Sequence, residues 1–135
     1  RDSLDTVLSR LADPFDEARS AFVSIDATRA RRQATELVAT PSPRVLPHGR
    51  QGVLLSIKDL FDVVGEVSSA GSRARASLAP ATSDAPAVAR LIAAGCVAIG
   101  RTTMTELAYS GVGMILITEP RKTLGIAPRV VYLNG

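Results

Sequence analysis

The stretch Gly52–Gly65, G-V-L-L-S-I-K-D-L-F-D-V-V-G, constrains the fold of this chain more than any other. Val53, Leu54, Leu55 and Ile57 form a short apolar run, and such a run predicts a strand covered on both faces. Lys58 falls at the end of that run. A lysine there must carry its ammonium to solvent, pair it, or lose the proton, because burial disfavours the charged form. The residue pattern leaves two readings open. In one, Lys58 snorkels out and Asp59 is a casual neighbour. In the other, burial brings the lysine close to neutrality and makes it a base.

The segments on either side supply the rest of a small α/β unit. Ser3 to Ala12 is expected to be helical, with Leu4, Val7, Leu8 and Leu11 on one face, Asp2 or Ser3 as its cap, and Pro14 as its stop. Glu17 to Ile25 reads as a second short helix or an extended segment that buries Phe22 and Val23. Asp26 is expected to cap a helix from Ala27 to Ala39. Its inner face would hold Ala30, Ala34, Leu37 and Val38, with Arg29, Arg31 and Arg32 as a solvated outer face. Thr40 to Gln51 reads as a linker punctuated by Pro41, Pro43, Pro47 and Gly49. The single histidine, His48, lies in it. With no G-x-S-x-G elbow and no partner ligands, His48 is given neither a triad role nor a metal.

Beyond the lysine, Ala70-Gly71-Ser72 permits a tight backbone path. Asp84 is expected to cap a helix with Pro86 in its first turn, Val88, Leu91 and Ile92 inward, and Gly95 at its end. Cys96, Val97, Ala98 and Ile99 read as a second buried strand. Strand, loop, helix, strand makes a crossover unit, so Leu54 and Val97 are expected in one parallel sheet. Thr102 or Thr103 is expected to cap a last short helix, with Glu106 completing a capping box to Thr103.

Composition narrows the function classes. With 135 residues, 46% of them hydrophobic and 4% aromatic, the chain can build one aliphatic core. A net charge of +3, from 16 basic and 13 acidic residues spread along the chain, does not point to nucleic acid. A single cysteine, Cys96, excludes an internal disulfide and fits a reducing compartment, so a cytoplasmic location is expected. No apolar run has membrane-spanning length and no signal peptide is visible, so no membrane partner is expected. The first residue is Arg1, so the true start is expected to lie upstream.

Gly52–Gly65 resembles the lysine-bearing segment of the amidase signature family, which commonly reads G-I-P-V-A-V-K-D-L-F-D-V-x-G. Ala70-Gly71-Ser72, then Asp84 to Leu91, Gly95, Gly100-Arg101-Thr102 and Glu106-Leu107-Ala108 match that family in order, and a looser likeness reaches back to Ala18. The chain departs at Thr103, where the family usually has asparagine. The resemblance implies an α/β fold, the N-terminal part of the amidase signature fold, in which helices cover a mixed sheet. It divides residues 1–113 into a helical part (1–39), the linker (40–51) and a sheet and helix part (52–113). It implies amide hydrolysis by a Ser–cis-Ser–Lys triad without metal or cofactor, acting on a small-molecule amide, with Lys58 as the general base and Gly71 and Ser72 packed near the site. Neither triad serine has a match here: Ser56, Ser68, Ser69, Ser72 and Ser110 do not fit the family's serine motif. Two alternatives stand beside this reading. One is the tRNA-dependent branch of the family, the amidase-type component of a glutamyl-tRNA amidotransferase, and the other a non-catalytic α/β binding module with a structural lysine. Oligomeric state and the identity of the amide are not encoded in these motifs.

After Gly113 the likeness stops, and residues 114–135 form an atypical tail. One DNA string encodes M-N-P-H-Y-G-T-P-K-N-P-W-D-R-A-T-G-R-V-P, which resembles the family's continuation. Loss of one base after the Met114 codon turns it into Met114 through Tyr132 as observed; the fit breaks at Asn134. The tail is therefore expected to be out-of-frame translation, which leaves the fragment inactive.

Overall fold

The computed structural model describes residues 4–40 and 51–109. Helix α1 spans Leu4–Ala12, a 3-10 turn covers Glu17–Ala21, strand β1 runs Phe22–Ile25 and helix α2 runs Ala27–Ala39. Strand β2 is Val53–Lys58, helix α3 is Pro86–Ala93 and strand β3 is Cys96–Thr102, with 3-10 turns at Arg73–Arg75 and Glu106–Ala108. The strand order is β1-β3-β2; β2 is parallel to β3 and β1 is antiparallel to it, so the sheet is mixed. Leu54 and Val97 face each other in the parallel register. Parallel neighbours require a crossover, and α3 lies within it.

β3 is the central strand, buried from Cys96 through Arg101. Its side chains alternate between two cores, as the two-residue period of a strand requires. Val97 and Ile99 join Leu11, Phe22 and Ala30, backed by Leu4, Val7 and Leu37 from α1 and α2. Ala98 joins Ile57, Val63 and Val88, backed by Ile92 of α3. Gly100 lets β1 approach, since a Cβ there would run into the Ser24 carbonyl.

Several local expectations hold. Asp26 caps α2, its Oδ1 accepting the Arg29 N–H at 2.8 Å. Pro86 opens α3, and the Gly95 N–H donates to Ile92 O at 2.9 Å just beyond its end. Glu17 to Ile25 is both things foreseen for it, a short helix and then a strand. Others are corrected. β2 is covered on both faces, Leu54 by one core and Leu55 and Ile57 by the other, but it is the edge strand of the described sheet, and Val53 is exposed. Val23, Val38 and Leu91 are exposed as well, Val38 by 85%. Ala30, Ala34 and Leu37 already fill the contact of α2 with the sheet, and Val38 falls about 40° beyond the edge of that stripe. Asp84 does not cap α3. Ala85 holds the cap position, so the Asp84 carboxylate is one residue too early and accepts the Val64 N–H at 2.7 Å instead. The Thr103 and Glu106 capping box is absent, because the final 3-10 turn starts after Thr105 and Glu106 faces Ser72. The Asp2 and Ser3 cap, linker residues 41–50 with His48, Ser110 and the tail lie outside the described residues.

Candidate active site

Because β2 and β3 are parallel, their carboxyl ends share one edge of the sheet, where Lys58 pairs with Thr102. Ligands of open α/β sheets bind off such ends. Ile57 and Asp59 are buried and Lys58 between them is exposed. The Asp59 N–H donates to Thr102 O at 3.1 Å, so the ladder continues one residue past the lysine. The strand's alternation therefore persists through Asp59 and sends Lys58 to the opposite side. Among the described residues, none is hydrogen-bonded or ion-paired to the Lys58 ammonium.

Asp59, which the sequence pattern does not single out, is the centre of this end of the sheet. It is 2% exposed, and Arg101, from β3, is 3% exposed. Arg101 Nε donates to Asp59 Oδ1 at 2.9 Å, and Nη2 donates to the Phe61 carbonyl at 2.9 Å. Arg101 Nη1 lies 3.6 Å from Glu66 Oε2, an ion pair without a hydrogen bond. Glu66 in turn accepts from Arg29 Nη2, and Arg29 Nε lies 3.5 Å from Asp26 Oδ2. Arg29 is thus a partly buried link and not part of a solvated face, whereas Arg31 and Arg32 do look outward. Alternating charges run from the end of β2 to the start of α2. No local signal in the sequence marks the central pair, because Asp59 and Arg101 are 42 residues apart.

Asp59 also holds the turn that carries the other two predicted site residues. Its Oδ2 accepts the Ser69 hydroxyl and the Gly71 N–H, the latter at 3.1 Å, and its carbonyl accepts the Ala70 N–H at 3.0 Å. Gly71 has φ +68°, and a Cβ there would lie 2.7 Å from the Met104 carbonyl oxygen. Only glycine fits. Ser72 is buried and its hydroxyl donates to Glu106 Oε1 at 2.6 Å; the Leu107 N–H donates to Ala70 O at 2.8 Å. Lys58, Gly71 and Ser72 are thereby brought to one end of the sheet through Asp59. Ser68, Ser69 and Ser72 each give their hydroxyl proton to a structural acceptor, Phe61 O, Asp59 and Glu106 respectively. Cys96 begins β3 at the far end, where burial pushes its thiol above the ordinary value.

Among the described residues, hollows of about 290, 380 and 450 Å³ indent the surface, and Lys58 lines none of these. No group of three His, Cys, Asp or Glu among the described residues could hold a metal ion.

Comparison with known proteins agrees with the fold and the motifs. The family model for amidases matches residues 2–118. Mandelamide hydrolase of Pseudomonas putida is 38% identical over 117 residues, which are 84% of this chain and 22% of that protein. The AtzE component of 1-carboxybiuret hydrolase, from Pseudomonas sp. (strain ADP), is 40% identical over 91 residues, 67% of this chain and 20% of that protein. A solved structure, from work on a vestigial protein complex and the origins of an s-triazine catabolic enzyme, superposes with a TM-score of 0.69 at 34% identity, covering 81% of this chain and 24% of that one. The chain spans about a fifth of the length of the two curated relatives. With the family model taking in most of its length and the sheet superposing on a solved relative, this chain belongs to the amidase family.

Proposed function

We propose that the chain is the N-terminal, lysine-bearing part of an amide hydrolase, which converts a small carboxamide to a carboxylic acid and ammonia or an amine. Lys58 is its general base. In the neutral form it takes a proton from a serine held at a cis peptide bond, and that serine takes one from the serine that attacks the carbonyl. Backbone N–H groups hold the oxyanion. Collapse of the tetrahedral intermediate breaks the C–N bond, the amine leaves with the relayed proton, and water then cleaves the acyl ester. Both serines lie outside this chain, and residues 115–135 are read out of frame. The observation that carries the proposal is the place of Lys58: free of partners among the described residues, at the carboxyl end of a parallel strand, next to the clamped Gly71 turn.

The relatives named for mandelamide and 1-carboxybiuret favour a small-molecule amide. A second reading, the amidase-type component of a tRNA-dependent amidotransferase, has support in a relative from Agathobacter rectalis. That relative belongs to a glutamyl-tRNA(Gln) amidotransferase and is 36% identical over 93 residues, 69% of this chain and 18% of that protein. Activity on free amides without partner proteins separates the two.

The first test is made on the chain itself. The 135-residue polypeptide is expected to release no ammonia from aliphatic or aromatic amides, since a base without a nucleophile forms no acyl-enzyme. Turnover abolished by Lys58→Ala would sink the proposal that the missing serines are essential. Sequencing the gene past codon 114 should reveal a G-G-S-S-G-type frame. In an enzyme completed in that frame, Lys58→Ala should lower kcat by roughly four or more orders of magnitude, as loss of a triad member does in serine hydrolases. Lys58→Arg should be nearly as damaging, because arginine does not give up its proton.

A further inference from the structure

We infer that Asp59 is a positioning residue for Lys58: its buried carboxylate, matched by Arg101, pins the Ser69–Gly71 turn at the carboxyl end of β2 and fixes the side on which the lysine leaves the strand. This rests on the reading of Lys58 as a base.

Three observations carry it. The ladder continues through the Asp59 N–H to Thr102 O, so Lys58 and Asp59 must point to opposite sides. Whatever draws Asp59 inward therefore drives Lys58 outward, and a slip of one residue would exchange them. Next, both oxygens of the Asp59 carboxylate are engaged, by groups from two different places. Oδ1 receives Arg101 Nε from the neighbouring strand, and Oδ2 receives the Ser69 hydroxyl and the Gly71 N–H from the turn. Finally, the turn is held from behind by Ser72 on Glu106 and by Leu107 on Ala70. The turn is thus gripped from two directions, and the only side chain of residues 57–59 left free to reach a substrate is Lys58. A buried ion pair is a weak source of stability but a strong source of fixed geometry when both carboxylate oxygens are engaged.

The test uses the full 135-residue chain in dilute solution and the enzyme completed in frame. Two variants separate folding from positioning. Asp59→Asn removes the charge and leaves the buried Arg101 with Glu66, at 3.6 Å, as its ionic partner. Ser69→Ala deletes one hydroxyl and keeps the ion pair, so it remains informative if Asp59→Asn does not fold. In Ser69→Ala, hydrogen exchange read by mass spectrometry should quicken by about tenfold in the peptide carrying Gly71, with the melting temperature close to that of the parent chain. Reductive methylation of Lys58 should change by about twofold or more in rate. Lys58 and Lys122 are the two lysines of the chain, so the modified peptide is unambiguous. In the completed enzyme each variant should lower kcat by about 10- to 100-fold with KM nearly constant, the scale expected for displacing a reacting group by about 1 Å. Unchanged exchange at Gly71 in both variants overturns the proposal. So does an unchanged kcat in Asp59→Asn when Lys58→Ala is inactive, and that result leaves the base assignment standing. An active Lys58→Ala enzyme removes the base assignment and the positioning role together, while faster exchange at Gly71 would still be seen.

Discussion

Lys58 and Asp59 are adjacent charges with opposite fates, one exposed and one buried. The lysine is legible in the sequence, because a charge closing an apolar run needs an explanation. Asp59 is not, because the partner of its buried carboxylate lies 42 residues away, on Arg101. Arg29 misleads for the same reason: its partner Glu66 is 37 residues distant. Local pattern sees neighbours along the chain and is blind to pairs made by the fold. Gly71 reads as a tight turn from sequence, and the fold makes its requirement specific. Gly71→Ala must both adopt φ +68° and displace the Met104 carbonyl. Overpacking and the left-handed penalty together should cost about 2–4 kcal/mol in a urea melt. Ala70, at φ +49°, is the converse case. Ala70→Gly should change stability by less than about 1 kcal/mol, since relief of strain offsets the added freedom of the unfolded chain. A loss for Ala70→Gly as large as that for Gly71→Ala would show that neither backbone conformation governs the turn.

At the scale of elements, apolar periodicity locates α1, α2, α3, β2 and β3 and pairs Leu54 with Val97. These contacts follow from runs of side chains that a strand or a helix face must bury. Caps divide differently. Asp26 stands directly before its helix and caps it, whereas Asp84 is separated from α3 by Ala85 and ties down Val64. Asp26→Ala should therefore destabilise the chain by about 0.5–2 kcal/mol and lower its helicity by circular dichroism. Asp84→Ala should leave α3 intact and speed exchange at the Val64 amide; a loss of α3 helicity would contradict the assignment. Cys96, opening β3, gives a pH dependence whose sign is fixed by burial. Its thiol is raised above the ordinary 9.0. The folded state then holds the proton more tightly than the unfolded state. The stability linked to it is fully present below the unfolded value and is lost as pH rises towards and through the folded one. A stability profile that falls in the alkaline range for the parent chain and falls less for Cys96→Ala is the expected result.

For the whole molecule, the question is what lies against the outer edge of β2. Among the described residues that edge is unpaired, and the side chains after it, Leu60, Phe61 and Val64, are exposed. An unpaired edge beside apolar side chains is a template for association. The relatives are several times as long as this chain, so sequence outside it is proposed to cover that edge in the whole protein. Family resemblance makes this legible at the outset, since the motifs match only the lysine-bearing part of the pattern; the exposed patch itself needs the coordinates. The isolated chain should therefore self-associate. Sedimentation velocity should show a weight-average coefficient that climbs with concentration, and Val53→Lys, which sets a charge on the exposed edge strand, should suppress the climb. Phe61→Asp should do the same by breaking the apolar patch. Constant sedimentation as a monomer over roughly a hundredfold range of concentration would mean that the edge is already covered within the 135 residues, and the proposal that outside sequence completes the sheet would fall with it.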